Sequence, residues 1–360
     1  MQTAIPYMQF RGGSSKGLFF KAEDLPAAEA ARNKIILAAM EGVGAGDPRQ
    51  IDGLGGATSL TSKVAVVSKS ENPGADLDYL FLQVVIGKGQ VSTTQTCGNM
   101  LAAVLPFAIE AGMIKSADKT TTAKVNIVNT GGVCEVTVET PGGIVNYAGN
   151  AKVDGVPGTA APVICNYLET EGATCGALLP SGNVKDIIDG IELTCIDNGM
   201  PSVILNAADF NITGYETPDT LNNNEALKKK IESIRLQAGP LMQLGDVTDK
   251  TIPKMCLVSP PVNGGALNTR TFIPHVCHEA IGVLGAVSVA SAIFLEGSVA
   301  AKVAAASPQQ DVISIEHPTG EFSIQFEMSN NHNKIVFHKS GVIRTARLLS
   351  KGLVYIPALV

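Results

Sequence analysis

The chain has 360 residues, 45% of them hydrophobic, so it can bury one large core or two ordinary ones and is not a disordered polymer. Its 27 basic and 33 acidic residues leave a charge of −6 with no basic block, which argues against nucleic acid as the main partner. Thirty-seven glycines beside only 17% charged residues point to many turns and a strand-rich architecture.

The opening residues, MQTAIPYMQFRGG, carry neither a charged n-region nor an apolar h-region, so export is not expected. The stretch RGGSSKG at 11–17 lacks the GxxxxGK[ST] spacing of a phosphate loop. Its backbone N–H groups, with Arg11, Ser14, Ser15 and Lys16, suit a small carboxylate; a plain β-turn explains the same residues equally well. Residues 27–40 read as an amphipathic helix, and DGLGG at 52–56, without GxGxxG order, reads as a turn. Strands are expected at 61–68, 79–86, 125–129 and 133–139, where β-branched residues alternate between Gly, Pro and Asn clusters. In the first of these, TSKVAVVS, alternation puts Lys63 on a face with Ala65 and Val67. A lysine there loses stabilisation of its charge and can act as a base near neutral pH. A solvated strand start would instead leave it an ordinary surface lysine.

Residues 97–109, CGNMLAAVLPFAI, are apolar on every side, so the helix they predict must be enclosed by the rest of its domain. Cys97 stands at its entrance, where unpaired N–H groups favour a thiolate or hold a substrate carboxylate. Gly98 allows a ligand close to the backbone, and Asn99 adds an amide donor and acceptor. The competing reading of Cys97 is a small buried thiol. The other six cysteines form no CxxC pair and read as reduced packing residues of a cytoplasmic protein.

In the second half, a weak helix is expected at 183–189 and an amphipathic one at 224–237, its lysine run a solvated face. Strands are expected at 192–196, 202–205, 255–259, 269–273, 312–316, 321–327 and 334–338. Arg270, on one of them, is suited to a bidentate carboxylate pair. His275 and His278, in PHVCHEAIG, have no HExxH and no second cluster, so no metal is expected; His275 reads as a helix cap or a substrate contact. Residues 281–295, IGVLGAVSVASAIFL, repeat the all-round apolar helix, and the uncharged run at 280–295 is too short to span a bilayer comfortably. Two such helices imply two cores, each wrapped by sheet. The class is α+β, with domains at 1–180 and 181–360, a junction near LPSGN, and a last strand free to return to the first domain.

Taken together, RGGSSKG, DPRQIDGLGG, LTSKVAVVS, DYLFLQV, TCGNMLAAVLPFAIEAG, CIDNGMP, TRTFIPH and EHPTGEF resemble the family of 4-oxalomesaconate tautomerases and isomerases. That family is related to 2-methylaconitate cis–trans isomerase and methylitaconate isomerase. The resemblance, from about residue 5 to about residue 350, implies a diaminopimelate epimerase-like fold: two pseudo-symmetric domains, each a barrel-like sheet around a central helix, with the site in the cleft between them. It further implies a cofactor-free isomerase of aromatic-acid degradation, acting on an unsaturated di- or tricarboxylate. Lys63 and Cys97 would be the catalytic pair, with Arg11, Ser14, Ser15, Gly98, Asn99, Asn198, Arg270, His275 and Gly282 binding substrate. In the epimerases a second cysteine opens the second helix. Here Ile281-Gly282 occupies that place, so a symmetrical two-thiol mechanism is not expected. Two departures, FRGGSSKG for MRGGTSKG and Thr96 for Asn in the N-C-G-N pattern, bear on pocket shape. No nucleic-acid or membrane partner is expected, and the oligomer, if one forms, would be a homodimer.

Overall fold

Alternating β-branched residues build most of the chain into strands, and the computed structural model describes residues 2–44, 46–168, 170–305, 312–331 and 334–358. Chain contacts divide it into two units, residues 1–167 with 343–360, and residues 168–342. The first unit thus ends ahead of the 180/181 junction read from the LPSGN turn, and regains residues from 343 onward.

In the first unit, β1 (Gln2–Gly12) and β2 (Ser15–Lys21) form a hairpin around Gly13, whose φ of +50° suits glycine. Helix α1 (Glu29–Glu41) follows, then β3 (Lys63–Lys69), β4 (Leu77–Val85) and the short β5 (Gln90–Ser92). Two helical segments come next, α2 (Gly98–Leu101) and α3 (Val104–Glu110), then β6 (Lys119–Ile127), β7 (Gly132–Thr140) and β8 (Pro162–Tyr167). The strands pair in the order β1-β2-β3-β4-β6-β7-β8, and the last strand of the chain, Lys334–Pro357, lies beside β8 and pairs with β1. The ring is therefore closed and has no free edge. Its outer face packs α1 against Leu18, Phe20, Val64 and Val66. On the other face Phe10 and Phe19 meet Phe107 of α3 at centroid distances of 6.3 and 5.5 Å. Burying each ring contributes about 1.5–3 kcal/mol.

The helix expected over 97–109 is broken at Ala102–Ala103, where Ala103 has φ −95° and ψ −1°. Pro106 explains the break: it offers no N–H to the carbonyl four residues earlier, that of Ala102, and its ring crowds it.

The second unit contains β9 (Asp186–Ile188), β10 (Ile191–Asp197), β11 (Pro201–Asn206), α4 (Pro218–Asn222), α5 (Glu225–Leu241), β12 (Lys254–Ser259) and β13 (Leu267–Phe272). It continues through α6 (Val283–Ile293), α7 (Val299–Val303), β14 (Val312–His317), β15 (Gly320–Asn331) and the start of β16 (Lys334–Pro357). These strands neighbour one another in chain order. Helix α5 buries Leu227, Ile231 and Ile234 against Leu193, Val203, Leu257 and Phe272. In α6 every residue from Gly285 to Ile293 is buried. The weak helix expected at 183–189 is instead the strand β9. Asp189 (φ 52°) and Gly190 (φ 76°) form a two-residue hairpin turn that pairs Ile188 with Ile191. Among the described residues no helix is long and apolar enough to cross a membrane.

Candidate active site

Parallel pairing sets Lys63 opposite Gly17 and Ala65 opposite Phe19, so Lys63 shares the face of Phe19 that looks toward α3. Lys63 is buried, at 8% exposure, which removes the alternative of a solvated strand start. Its Nζ lies 5.1 Å from the centre of the Phe81 ring and donates a 2.7 Å hydrogen bond to Gln83 Oε1. The orientation of Gln83 is fixed, because its Nε2 donates to the carbonyls of Ser59, Ser62 and Val84 at 3.1–3.2 Å. Only the amide oxygen is left to face the lysine.

Cys97 caps α2 in an extended conformation and is half-buried, while the other six cysteines are buried. Its carbonyl accepts from Tyr79 Oη at 3.1 Å and from the Leu101 N–H at 3.0 Å. No side chain caps α2, but this helix is a single turn. Tyr79, Phe81 and Gln83 are alternate residues of β4 and so share one face of it. One strand therefore holds the backbone of Cys97 at one end and the Nζ of Lys63 at the other.

The hairpin residues close over the start of α2. Asn99 Nδ2 donates to Ser14 Oγ at 3.1 Å and to Ser15 Oγ at 3.5 Å. Glycines make this approach possible: a Cβ on Gly12 would lie 2.3 Å from the Asn99 carbonyl oxygen, and one on Gly13 2.2 Å from Asn99 Oδ1. Ser14, Ser15, Gly98 and Asn99 thus come together. Arg11 borders a cavity with Ser14 and Ser15 but makes no hydrogen bond to either side chain. It follows Phe10 on β1 and takes the opposite face, where its Nη1 donates to the Gly13 carbonyl and to the carbonyl and hydroxyl of Thr345.

Arg344, Gln83 and Tyr79 are site neighbours that motif reading passed over. The Arg344 guanidinium, 7% exposed, interacts electrostatically with Cys165, Tyr167 and Cys97, and burial lowers its pKa to about 10. Burial also pushes the Tyr79 hydroxyl well above its usual range, so it remains a donor. For Gln83 the available signal was the YLFLQ alternation, which puts a polar tip on an aromatic face.

In the second unit the candidates differ in what they have free. Asn198 is fully buried, its Oδ1 taken by Thr170 and its Nδ2 by Ser291 and Ser340. Its amide is consumed in bracing α6, which corrects the substrate contact expected of it. Arg270 donates from Nε to the Glu216 carbonyl and from Nη1 to Asn268 Oδ1 and the Thr269 carbonyl. Its Nη2 makes no hydrogen bond to a described residue. Burial lowers the Arg270 pKa, against the raising influence of Cys277, Glu216, Glu316 and Tyr215. His275 is exposed and stands 3.6 Å from Glu232 of α5. Gly282 caps α6 with no side-chain hydrogen bond, leaving the first-turn N–H groups of an 11-residue helix uncapped.

The profile of the PrpF protein family matches residues 2–357. The (4E)-oxalomesaconate Δ-isomerase of Novosphingobium sp. (strain KA1) is 54% identical, over 98% of this chain and 98% of its own. The 4-oxalomesaconate tautomerase of Pseudomonas putida is 49% identical, over 99% of this chain and 97% of its own. A crystal structure of methylitaconate Δ-isomerase superposes with a TM-score of 0.87 at 32% identity, covering 99% of this chain and 96% of that one.

Proposed function

The chain belongs to the PrpF protein family and is an isomerase, and from that premise we propose that its substrate is 4-oxalomesaconate or a similar unsaturated tricarboxylate. The reaction is a tautomerisation or a 1,3-allylic shift of a double bond, run by proton transfer without a cofactor, as part of aromatic-acid breakdown. The observation that carries this reading is the buried Lys63 held by Gln83, on the strand that also holds Cys97 through Tyr79.

Lys63 Nζ, as the base, takes a proton from the carbon next to a conjugated carbonyl or carboxylate. One of its N–H bonds stays on Gln83 Oε1, so its lone pair is directed away from that partner. The electron pair released spreads into a dienolate, whose oxygens accept hydrogen bonds from the Ser14 and Ser15 hydroxyls, left free to donate because each accepts from Asn99 Nδ2. Cys97, or a water beside it, gives a proton to the far carbon and the double bond moves. Proton exchange between Lys63 and Cys97, direct or through water, then restores both groups. Within the second unit, Arg270 Nη2 and the uncapped N–H groups behind Gly282 are the groups suited to a carboxylate, and exposed His275 is a further polar contact. The unpaired cysteines suit a reducing compartment, and we place the enzyme in the cytoplasm.

Turnover in deuterium oxide, followed by NMR, tests the reading. The wild-type enzyme should place solvent deuterium in 4-oxalomesaconate or its product, and Lys63→Met should not. Full exchange by Lys63→Met would remove Lys63 from the reaction. Binding without any exchange in the wild type would mark a carboxylate-binding protein instead. Faster turnover of 2-methylaconitate or methylitaconate would favour those substrates; the greater likeness to the oxalomesaconate enzymes speaks for the first choice.

A further inference from the structure

Behind the hairpin that carries Ser14 and Ser15, the opposite face of the first unit's ring holds three cations that this reaction does not use. Arg11 pairs directly with Lys16 on β2 and directly with Arg347 on β16, so three cations stand abreast on adjacent strands. Like charges placed directly opposite one another across strands are destabilising. Among the described residues none of the three has an ion pair, and burial followed by the charge of Arg347 lowers the Arg11 pKa. Together they line a cavity of about 640 Å³, the size of a small-ligand site, whose walls also include Ser14, Ser15 and Thr159 and, among the described residues, no Asp or Glu. Among the described residues Arg11 is anchored through Nη1 alone, which leaves its other N–H groups for an incoming acceptor.

We propose that this cavity is a second anion site, apart from Lys63, taking a small molecule with two or more carboxylate or phosphate groups. Cross-strand neighbours lie roughly 5 Å apart, so the row of three spans about 10 Å. That span matches a di- or trianion better than a single carboxylate. A bound anion offsets the repulsion that the row otherwise carries. Ser14, which lines the cavity and accepts from Asn99, ties the site to the residue two beyond Cys97.

Titration calorimetry of the full chain with citrate and, separately, with pyrophosphate tests this. The wild type should bind at least one of them, and which one identifies the anion class. Arg347→Gln and Lys16→Gln should each weaken binding about tenfold, the loss of one charge-assisted hydrogen bond. Arg347→Lys should keep most of the affinity, Lys63→Met all of it, and added salt should weaken it. Three results would each overturn the proposal: neither probe binds the wild type, both Gln variants bind as the wild type does, or Lys63→Met alone abolishes binding. Melting curves of the variants establish that each is folded.

Discussion

Gln83 Oε1 accepts a 2.7 Å hydrogen bond from Lys63 Nζ, and three backbone carbonyls hold the amide nitrogen of the same Gln83 so that it cannot turn. The pair is a directional clamp: the lysine points where the amide lets it. Gln83→Met keeps the volume and removes both the clamp and the amide N–H groups that three carbonyls share. We expect kcat to fall about tenfold with a smaller change in KM, since the reacting group is misaimed rather than lost. The Ser59 and Val84 carbonyls lose this donor while that of Ser62 keeps the Val84 N–H, and the loss should cost stability of about 1–3 kcal/mol, read from denaturant unfolding. Unchanged kcat in a folded Gln83→Met protein would show that Lys63 needs no partner.

Gly17 is the position at which the first hairpin passes Lys63. A Cβ there would sit 2.2 Å from the Lys63 carbonyl oxygen and 2.6 Å from Met100 Cε. The methionine can move aside, but the carbonyl belongs to the paired strand and cannot. Gly17→Ala should therefore push β2 away from β3 and destabilise the protein by about 1–3 kcal/mol. Turnover should fall with it, because the shift acts at Lys63 itself. A melting temperature and rate equal to wild type would show that the strands accommodate the methyl group.

The extent to which these features were legible in the sequence follows from what periodicity can carry. β-branched content located β3, β4 and β7 to within two residues, although β3 buries both its faces, while of β6 only the end, from Val125, was read. The strands β1, β2 and β8 were missed: β1 contains Pro6 and ends in glycines, and β2 buries Gly17, Leu18, Phe19 and Phe20 in succession, which hides alternation. At 183–189 the Asp189-Gly190 dipeptide was the stronger signal and outranked weak helical spacing. Lys63 and Cys97 could be singled out because their residue types stand out against apolar neighbours. Gln83, Tyr79 and Arg344 could not, since their roles depend on register, and Arg11 could not be assigned a face until Phe10 was seen packing inward.

Glu192 gives a pH dependence of definite sign. Hydrogen bonds from Lys185 and then Lys302 hold its carboxyl at about 2, against an ordinary value of 4.5. Between those values the unfolded chain binds the proton and the folded chain does not, so stability falls as pH falls. The contribution is complete above 4.5 and gone near 2. The stability difference between wild type and Glu192→Gln should therefore be constant at neutral pH and shrink through the acid range. Melting temperatures measured across that range check it. A difference that stayed level down to pH about 3 would mean that the two lysines do not hold the carboxylate in solution.

Cys97 is the one half-buried thiol among seven. Accessibility predicts that a small alkylating reagent such as iodoacetamide modifies Cys97 before the other six, with loss of activity in step with labelling. Substrate should protect, if the thiol lies where the dienolate forms. Mass spectrometry of the labelled protein reads the position and the rate together. Labelling first at any other cysteine, or labelling of Cys97 with activity retained, would remove the thiol from the reacting centre.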